Sequence, residues 1–429
     1  MTIARRLGDR LDRPYSLALV RIVSAGLSVI SALLLSRALG QAGRGEAAAA
    51  IAIVSLMPIV LGLGVPLVVR RQAAFDDGIE RLVRTVRFFA GLLVLPSAVI
   101  GLAVAFTVLQ SLDTPARLVF VLSASSSPIA FLWLCNANLF IAQGRSGVFA
   151  LTNLIPVVFY VALVVAGHFL GALSVSFAIS ANWMGSVATL IFTTLMARVG
   201  LRGSRHKLGS TVSEGVKYSG GQIAEAASYR LDQAMALPLA GAFQAGLYSV
   251  AAMASLIPLA LGQALGTASF RLIATAPREE QRNEAIIQLL RSATFFSLAM
   301  AGAMAIATPV FVPTVFGAEF VGAVIPTLIA LGGSVPLVIA YVGSTALTAL
   351  GRSWALTVTQ LSGVLVNVLA LVILAPRYGA IGLAAASAVG YFIGALVCLR
   401  SLPVRSVECV PGVADLRPSM NLLLRRTSP

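Results

Sequence analysis

Long apolar segments follow one another along almost the whole chain, and they restrict its possible folds more than any other feature. Each is about twenty residues long, the length that an α-helix needs to cross a bilayer. Backbone polar groups in lipid must be paired within the segment, which requires helices, and the alternation typical of membrane strands is absent. We predict an all-α polytopic membrane protein with about twelve transmembrane helices. The predicted spans are 17–39, 47–69, 88–110, 118–141, 148–168, 172–197, 218–240, 247–270, 292–313, 322–347, 354–375 and 380–400.

The composition supports this interpretation, because 58% of the residues are hydrophobic and only 11% are charged. Soluble proteins carry about 25% charged residues, so an ordinary soluble enzyme is excluded. A net charge of +15 suggests nucleic acid as one possible partner. The basic residues, however, lie between the apolar segments. We therefore interpret them as a membrane topology signal and expect no nucleic-acid partner.

The distribution of basic residues predicts an orientation. If the N-terminus is cytoplasmic, 25 of the 31 Lys and Arg residues fall in cytoplasmic segments. Two more, Arg21 and Arg230, lie within spans. The four on the outside are Arg37, Arg44, Arg117 and Arg377. Cytoplasmic segments of membrane proteins are enriched in Lys and Arg, so both termini are predicted to be cytoplasmic.

The connections after spans 2, 6 and 8 are longer than the others and amphipathic. Two interpretations stay open for them. They are either interfacial helices whose Arg side chains face anionic headgroups, or solvated cytoplasmic loops.

An internal repeat indicates that the chain has two related halves. The matching segments are 38–45 with 239–246, 55–58 with 255–258, and 144–146 with 351–353. This duplication predicts two six-helix lobes related by a pseudo-two-fold axis along the membrane normal, an arrangement used by transporters. The predicted parts are a cytoplasmic N-terminal segment (1–16), an N-terminal lobe (17–197), a cytoplasmic linker (198–217), a C-terminal lobe (218–400) and a cytoplasmic tail (401–429).

Span 7 contains two acidic residues that are candidates for ion coupling. Glu225 and Asp232 are seven residues apart and therefore lie on one helix face. A carboxylate in hydrocarbon costs several kcal/mol, so this face should point to a water-filled cavity or to a cation. The alternative is a structural ion pair, for example of Asp232 with Arg21 or Arg37.

Other polar residues within or beside the spans are candidates for substrate binding. Arg21, Arg37 and Arg230 could bind a phosphorylated substrate, because the planar guanidinium meets phosphate oxygens bidentately. The alternative for Arg21 and Arg37 is snorkelling to lipid headgroups. Gln263 in span 8 could line a cavity or form an interhelical hydrogen bond. The sequence contains neither a phosphate-binding loop nor paired metal-ligand motifs, so no cofactor is expected.

Several sequence blocks follow one another in a characteristic order. They are LSRALG at 35–40 with Gly43 and Gly45, GVKYS at 215–219, Arg230 with Asp232, GLYSVA at 246–251, GQAL at 262–265, and Asn367 with PRYGAIGLA at 376–384. Together these blocks resemble the Wzx-type polysaccharide flippases of the multidrug/oligosaccharidyl-lipid/polysaccharide exporter (MOP) superfamily. Their order and spacing cover residues 17–400.

The resemblance implies a function as well as a fold. It implies two six-helix bundles around a central cavity, alternating access, and undecaprenyl-pyrophosphate-linked oligosaccharides as cargo in a bacterial plasma membrane. Arg21, Arg37, Arg230 and Asp232 acquire a cavity role by position. Glycosyltransferases and a polymerase of the same pathway are possible partners. Two alternatives stay open: an ion-coupled exporter of small cationic compounds, and a membrane-embedded glycan polymerase or ligase.

Overall fold

A computed structural model describes residues 14–73, 78–200 and 203–404 and shows helices without β-strands in that part of the chain. The all-α prediction is therefore confirmed. In chain order the helices are α1 (Pro14–Leu61), α2 (Val65–Gln72), α3 (Ile79–Thr107), α4 (Thr114–Ser125), α5 (Ser127–Ala142), α6 (Ser146–Phe169), α7 (Val175–Ala197), α8 (Leu208–Ala274), α9 (Glu279–Phe316), α10 (Val324–Ala349) and α11 (Ser353–Ser401), with a short 3-10 helix, Ala318–Ala323, before α10.

Three glycines explain why the described residues form fewer long helices than the sequence has predicted spans. By length and composition, eight described helices could cross a membrane, or nine if α4 and α5, bent by 42°, form one span. Three of the eight join two predicted spans across a glycine with positive φ: Gly40 in α1, Gly241 in α8 and Gly379 in α11. If each of these helices crosses twice, the described helices account for all twelve predicted spans. The exact number of crossings stays a prediction.

The described chain divides into two compact units, one ending at Pro238 and the other beginning at Leu239. The boundary lies within α8, three residues before its break at Gly241. The first part of α8 therefore packs with the first unit, and it begins at Leu208, inside the segment predicted as a linker. The lobe and linker boundaries proposed from the sequence stay a prediction.

The turn that follows the fourth predicted span has the same geometry as the turn that follows the tenth. Gly144 has φ 68° and Gly351 has φ 69°. In each turn the next residue, Arg145 or Arg352, donates its backbone N–H to the carbonyl five residues earlier, at 2.9 Å. A positive φ is inexpensive only for glycine, so the repeated Gly-Arg-Ser sequence specifies a repeated helix end.

The side chains of these two arginines also repeat their contacts. Arg145 donates through Nη1 to the carbonyl of Met196 at 3.1 Å, near the end of α7. Arg352 donates through Nη1 to the carbonyl of Ser401 at 2.9 Å, at the end of α11. Both satisfy a carbonyl that a helix end leaves without an intrahelical partner.

A close helix contact repeats as well. Gly62 lies so near Phe131 that a Cβ on this glycine would stand 2.8 Å from the ring. Gly262 lies equally near Val338, at 2.8 Å from Cγ1. The four positions are in register with the repeat found in the sequence. The structure of each unit thus supports an internal duplication.

The start of α8 is held to α2 by backbone and apolar contacts. Gly64, with φ 72°, lies against Gly215, and a Cβ on Gly64 would overlap the Gly215 carbonyl oxygen. Leu208 and Val212 pack on the buried cluster that contains Val65. Small residues allow helix backbones in a membrane protein to approach closely, so this contact places α8 directly beside α2.

Polar contacts follow at the next turns of the same two helices. Arg71 donates through Nη1 to Glu214 Oε1 at 3.1 Å and to the Tyr218 hydroxyl at 2.8 Å. Gln72 donates to the other carboxylate oxygen of Glu214 at 2.8 Å. The pair Arg71–Glu214 is largely exposed on the Arg71 side, so we expect a small net contribution to stability.

Candidate functional site

The polar residues of predicted span 7 lie on one continuous stretch of α8. Glu225, Arg230 and Asp232 all precede the break at Gly241, and all three belong to the first unit. A helix without interruption keeps Glu225 and Asp232 on the same face, as their spacing predicts.

The two carboxylates nevertheless have different surroundings. Asp232 is 2% exposed, and its Oδ1 accepts a hydrogen bond from the backbone N–H of Gln233 at 2.7 Å. It also attracts the Arg230 guanidinium electrostatically. Glu225 is exposed. The helix face therefore changes from an accessible to an enclosed environment within two turns.

The other predicted site residues are spread over the molecule. Arg37 is exposed on the part of α1 that precedes the break, three residues before Gly40. Arg21 lies on α1, and its side chain is outside the described residues. Gln263 is half-buried on the part of α8 that belongs to the second unit. The binding roles of these residues stay predictions.

Arg44 is a candidate that the sequence placed in an outside connection. Its side chain is half-buried, and its Nε is buried without a hydrogen-bond partner among the described residues. It interacts electrostatically with Tyr160, in the middle of α6. Tyr160 in turn packs against the buried cluster that contains Leu35 and Ala47.

Arg44 is unusual because the residue with which it interacts, Tyr160, lies far from the end of its helix. Tyr160 lies nine residues before the end of α6 at Phe169, or about 13 Å along the helix axis. The acidic residue closest to Arg44 in sequence, Glu46, interacts instead with Ser111 and Asp113. Residues two apart on a helix point in different directions, so Glu46 is not placed to neutralise Arg44. Hydropathy could not show this, because it assigned the turn around Gly40 to the outside loop.

A second polar feature lies where α4 and α5 meet. The break at Ser126 brings serine hydroxyls together: Trp183 donates through Nε1 to Ser126 Oγ at 2.6 Å, and the hydroxyls of Ser97 and Ser127 lie 3.0 Å apart. A mainly apolar cavity of about 540 Å³ adjoins the break. Broken helices line the substrate pathway of many transporters, and this feature is a second candidate in the first unit.

Three comparisons relate the chain to known proteins. Residues 14–270 match the family model of the polysaccharide biosynthesis proteins. No curated protein shows a significant match to the sequence. Among solved structures, the chain is similar to the lipid II flippase MurJ in its inward closed conformation, with a TM-score of 0.68, 15% identity and coverage of 95% of this chain and 90% of MurJ.

Two transporters of the MATE family are similar as well. An inward-facing multidrug resistance transporter of the MOP superfamily aligns with a TM-score of 0.69, 12% identity and coverage of 96% of this chain and all of the other. The MATE transporter VcmN of Vibrio cholerae aligns with a TM-score of 0.60, 16% identity and coverage of 94% and 99%. At these identities the likeness concerns the fold.

The family match covers more than half of the chain, and the fold likeness extends over nearly all of it. The many apolar helices agree with both. The chain therefore belongs to the polysaccharide biosynthesis protein family, and it is a multi-pass membrane protein with a fold similar to those of MurJ and the MATE transporters.

Proposed function

We propose that the protein is an alternating-access flippase that moves undecaprenyl-pyrophosphate-linked oligosaccharide units across the bacterial plasma membrane for surface polysaccharide biosynthesis. Arg44 carries this proposal, because it combines a half-buried guanidinium, an Nε without a hydrogen-bond partner among the described residues and an electrostatic interaction with Tyr160, which lies about 13 Å from the end of α6. A cation in such a place suits an anionic head group, since arginine binds phosphate oxygens through several donors.

In this proposal the arginines bind the head group, and the acidic residues of α8 couple transport to protons. Arg44, with Arg21, Arg37 and Arg230, would receive the pyrophosphate while the lipid tail stays in the bilayer. Gln263 would contribute to sugar binding. Asp232 and Glu225 would couple protonation to closure of the cavity, because the charged form of an enclosed carboxyl is costly in a membrane.

The proposal includes an orientation and partners. Both termini would be cytoplasmic, as the 25 basic residues of the cytoplasmic segments predict. Membrane lipids would surround the protein, and glycosyltransferases and a polymerase of the same pathway would act before and after it. MurJ, similar in fold, is itself named a lipid II flippase, which supports a lipid-linked cargo.

Flipping in proteoliposomes tests the proposal. We expect wild-type protein to move a defined undecaprenyl-pyrophosphate oligosaccharide, and Arg44→Ala, Arg21→Ala and Asp232→Asn to lower the rate at least tenfold. For the two arginine variants, each lost charge-assisted contact to phosphate is worth about 1.5–3 kcal/mol, which corresponds to that range. Asp232→Asn instead removes the carboxyl that is proposed to couple protonation to closure. Initial rates with and without an imposed proton gradient are the measurement.

The exposed Arg377→Gln is the matched control, and membrane abundance of every variant is measured in parallel. Arg44→Lys keeps the charge but not the planar donors, so it should retain part of the rate. Wild-type rates in Arg44→Ala and Arg21→Ala would overturn the assignment of the head-group site. Failure of the wild-type protein to move the lipid would overturn the function.

An ion-coupled exporter of small cationic compounds is the second candidate. The enclosed carboxylate of Asp232 favours it, because an acid in a transport pathway could bind protons and cations alternately. Proteoliposomes loaded with a fluorescent cationic compound distinguish the two functions. Gradient-driven movement of the compound, lost in Asp232→Asn, would favour the exporter.

A further inference from the structure

One face of α3 carries an unbroken apolar stripe. Its members recur every three or four residues and are 42–73% exposed. They are Phe88, Leu92, Leu95, Val99, Leu102 and Phe106. This spacing places them on one side of the helix, and an exposed face without polar groups fits acyl chains rather than a water-filled cavity.

An arginine lies over the aromatic ring at each end of the stripe. Arg205 has its guanidinium carbon 4.5 Å from the centroid of Phe88, and Arg117 lies 5.6 Å from the centroid of Phe106. The two rings are eighteen residues apart, about 27 Å along a helix. This nearly equals the hydrocarbon thickness of a bilayer, about 30 Å. The two arginine–aromatic pairs therefore mark the two membrane boundaries.

The segment that carries Arg205 is held against the first turns of α3. The Thr85 hydroxyl accepts the backbone N–H of His206 at 2.8 Å and donates to the Arg81 carbonyl of its own helix at 2.9 Å. Arg87 donates through Nη1 to the Val199 carbonyl at 2.8 Å. Arg84 donates through Nε to the Gly200 carbonyl at 3.2 Å. Both ends of the segment are fixed, so Arg205 is positioned before any ligand arrives.

The two boundaries differ in the use of their arginines. Arg117 donates through Nη2 to the carbonyls of Gln110 and Leu112 at 2.8 and 2.9 Å, so the chain itself occupies this nitrogen. At the other end Arg205 and Lys207 are exposed on either side of His206.

Arg81 adds a third exposed cation to the Arg205 end. It lies one turn before Thr85, whose hydroxyl binds His206. Glu80, the acidic residue of that turn, pairs with Arg84. A cluster of exposed cations thus lies directly beside the end of the apolar stripe.

We propose that this corner of the first unit binds one anionic phospholipid. Arg205, Arg81 and Lys207 would hold the headgroup phosphate, and an acyl chain would lie along Leu92 and Leu95. Arginine and lysine at a membrane boundary attract anionic headgroups, and the fixed apolar stripe accommodates the tail. The proposal uses none of the residues assigned above to transport, so it does not depend on the proposed function.

Native mass spectrometry of the purified full-length protein tests the site. The protein is titrated with phosphatidylglycerol and with phosphatidylcholine of identical acyl chains. We expect a preference for phosphatidylglycerol and a loss of about fivefold in its affinity in Arg205→Gln, as expected for one basic residue at an anionic surface. Arg205→Lys should keep most of the preference. The exposed Arg278→Gln in the second unit is the matched control and should bind as wild type does.

The outcomes separate the possibilities. Equal binding of the two lipids, or wild-type affinity in Arg205→Gln, would contradict the site. Displacement of phosphatidylglycerol by millimolar glycerol phosphate would contradict the lipid source, because a soluble phosphate would then be the ligand. If Arg205→Gln does not fold, the same titration of Arg81→Gln decides between these results.

Discussion

Gly64 shows how one residue fixes a helix contact. It has a positive φ, and it also lies against Gly215 at the point where α8 meets α2. Both reasons demand glycine, one in the backbone and one in the space available. The neighbouring ion pair of Arg71 with Glu214 is exposed, and such pairs contribute about 0–1 kcal/mol. The close contact of the glycines, rather than the charge, should therefore dominate the energy of this junction.

Gly64→Ala should accordingly destabilise the protein by about 1–3 kcal/mol, since it adds strain at φ 72° and an overlap with Gly215. Gly91→Ala is the matched control, because a Cβ there meets nothing within 4 Å on helix α3. This control should be neutral or stabilising by up to about 1 kcal/mol. Thermal unfolding in detergent measures both. Equal melting temperatures would contradict the role of the contact.

For the predicted site residues, the sequence predicts which helix face they share but not how deeply each is buried. The spacing of Glu225 and Asp232 predicts a shared helix face, and the helix is indeed continuous there. Their burial differs because it depends on which helices cover each turn, and periodicity carries no such information. Arg44 was missed as a site residue for a related reason. Hydropathy detects the apolar arms of α1, but not that the turn between them places an arginine beside Tyr160.

At the level of helices, the sequence predicts type and approximate position well, because apolar segments of span length leave helix as the main possibility. The ends are less predictable. The third span was predicted from residue 88, whereas α3 begins at Ile79. Backbone hydrogen bonding continues past the apolar boundary, and in these basic turns Arg84 and Arg87 bind the carbonyls of Gly200 and Val199.

The duplicated helix ends lead to a paired prediction. Arg145→Ala and Arg352→Ala each leave a carbonyl at the end of a helix without its side-chain partner. We expect each to lower the free energy of unfolding by a similar amount, about 1–2 kcal/mol. Lysine at either position should recover part of the loss. A large effect in one variant and none in the other would contradict this prediction. The two turns, although alike in geometry, would then differ in their contribution to the free energy of unfolding.

At the scale of the whole molecule, the family is established and the fold is similar to those of MurJ and the MATE transporters, while transport, cargo and orientation stay proposals. The cargo could not be predicted from span patterns, because a flippase and a drug exporter need the same helices. The orientation rests on charge alone. Basic residues are counted per connection, and this count gives one side of the membrane for every exposed loop.

Cysteine labelling tests the orientation directly. Cys135 and Cys398 are buried free thiols, so a variant with Cys409 replaced by serine should give little background labelling. We expect Ala172→Cys to react with a membrane-impermeant maleimide added to intact cells, and Ser204→Cys to react only after the membrane is opened. Both positions are exposed. The reverse pattern would invert the proposed orientation.

The three glycine turns in α1, α8 and α11 affect how the helix segments on either side of them can move. Each joins two helical arms without a linker, so there is no slack between them. In α1 and α11 a single glycine keeps the ends of the two arms together at the turn, whereas its permissive backbone leaves the angle between them free to change. A pair of spectroscopic labels, one on each arm, would therefore report a change of angle at Gly40 or at Gly379.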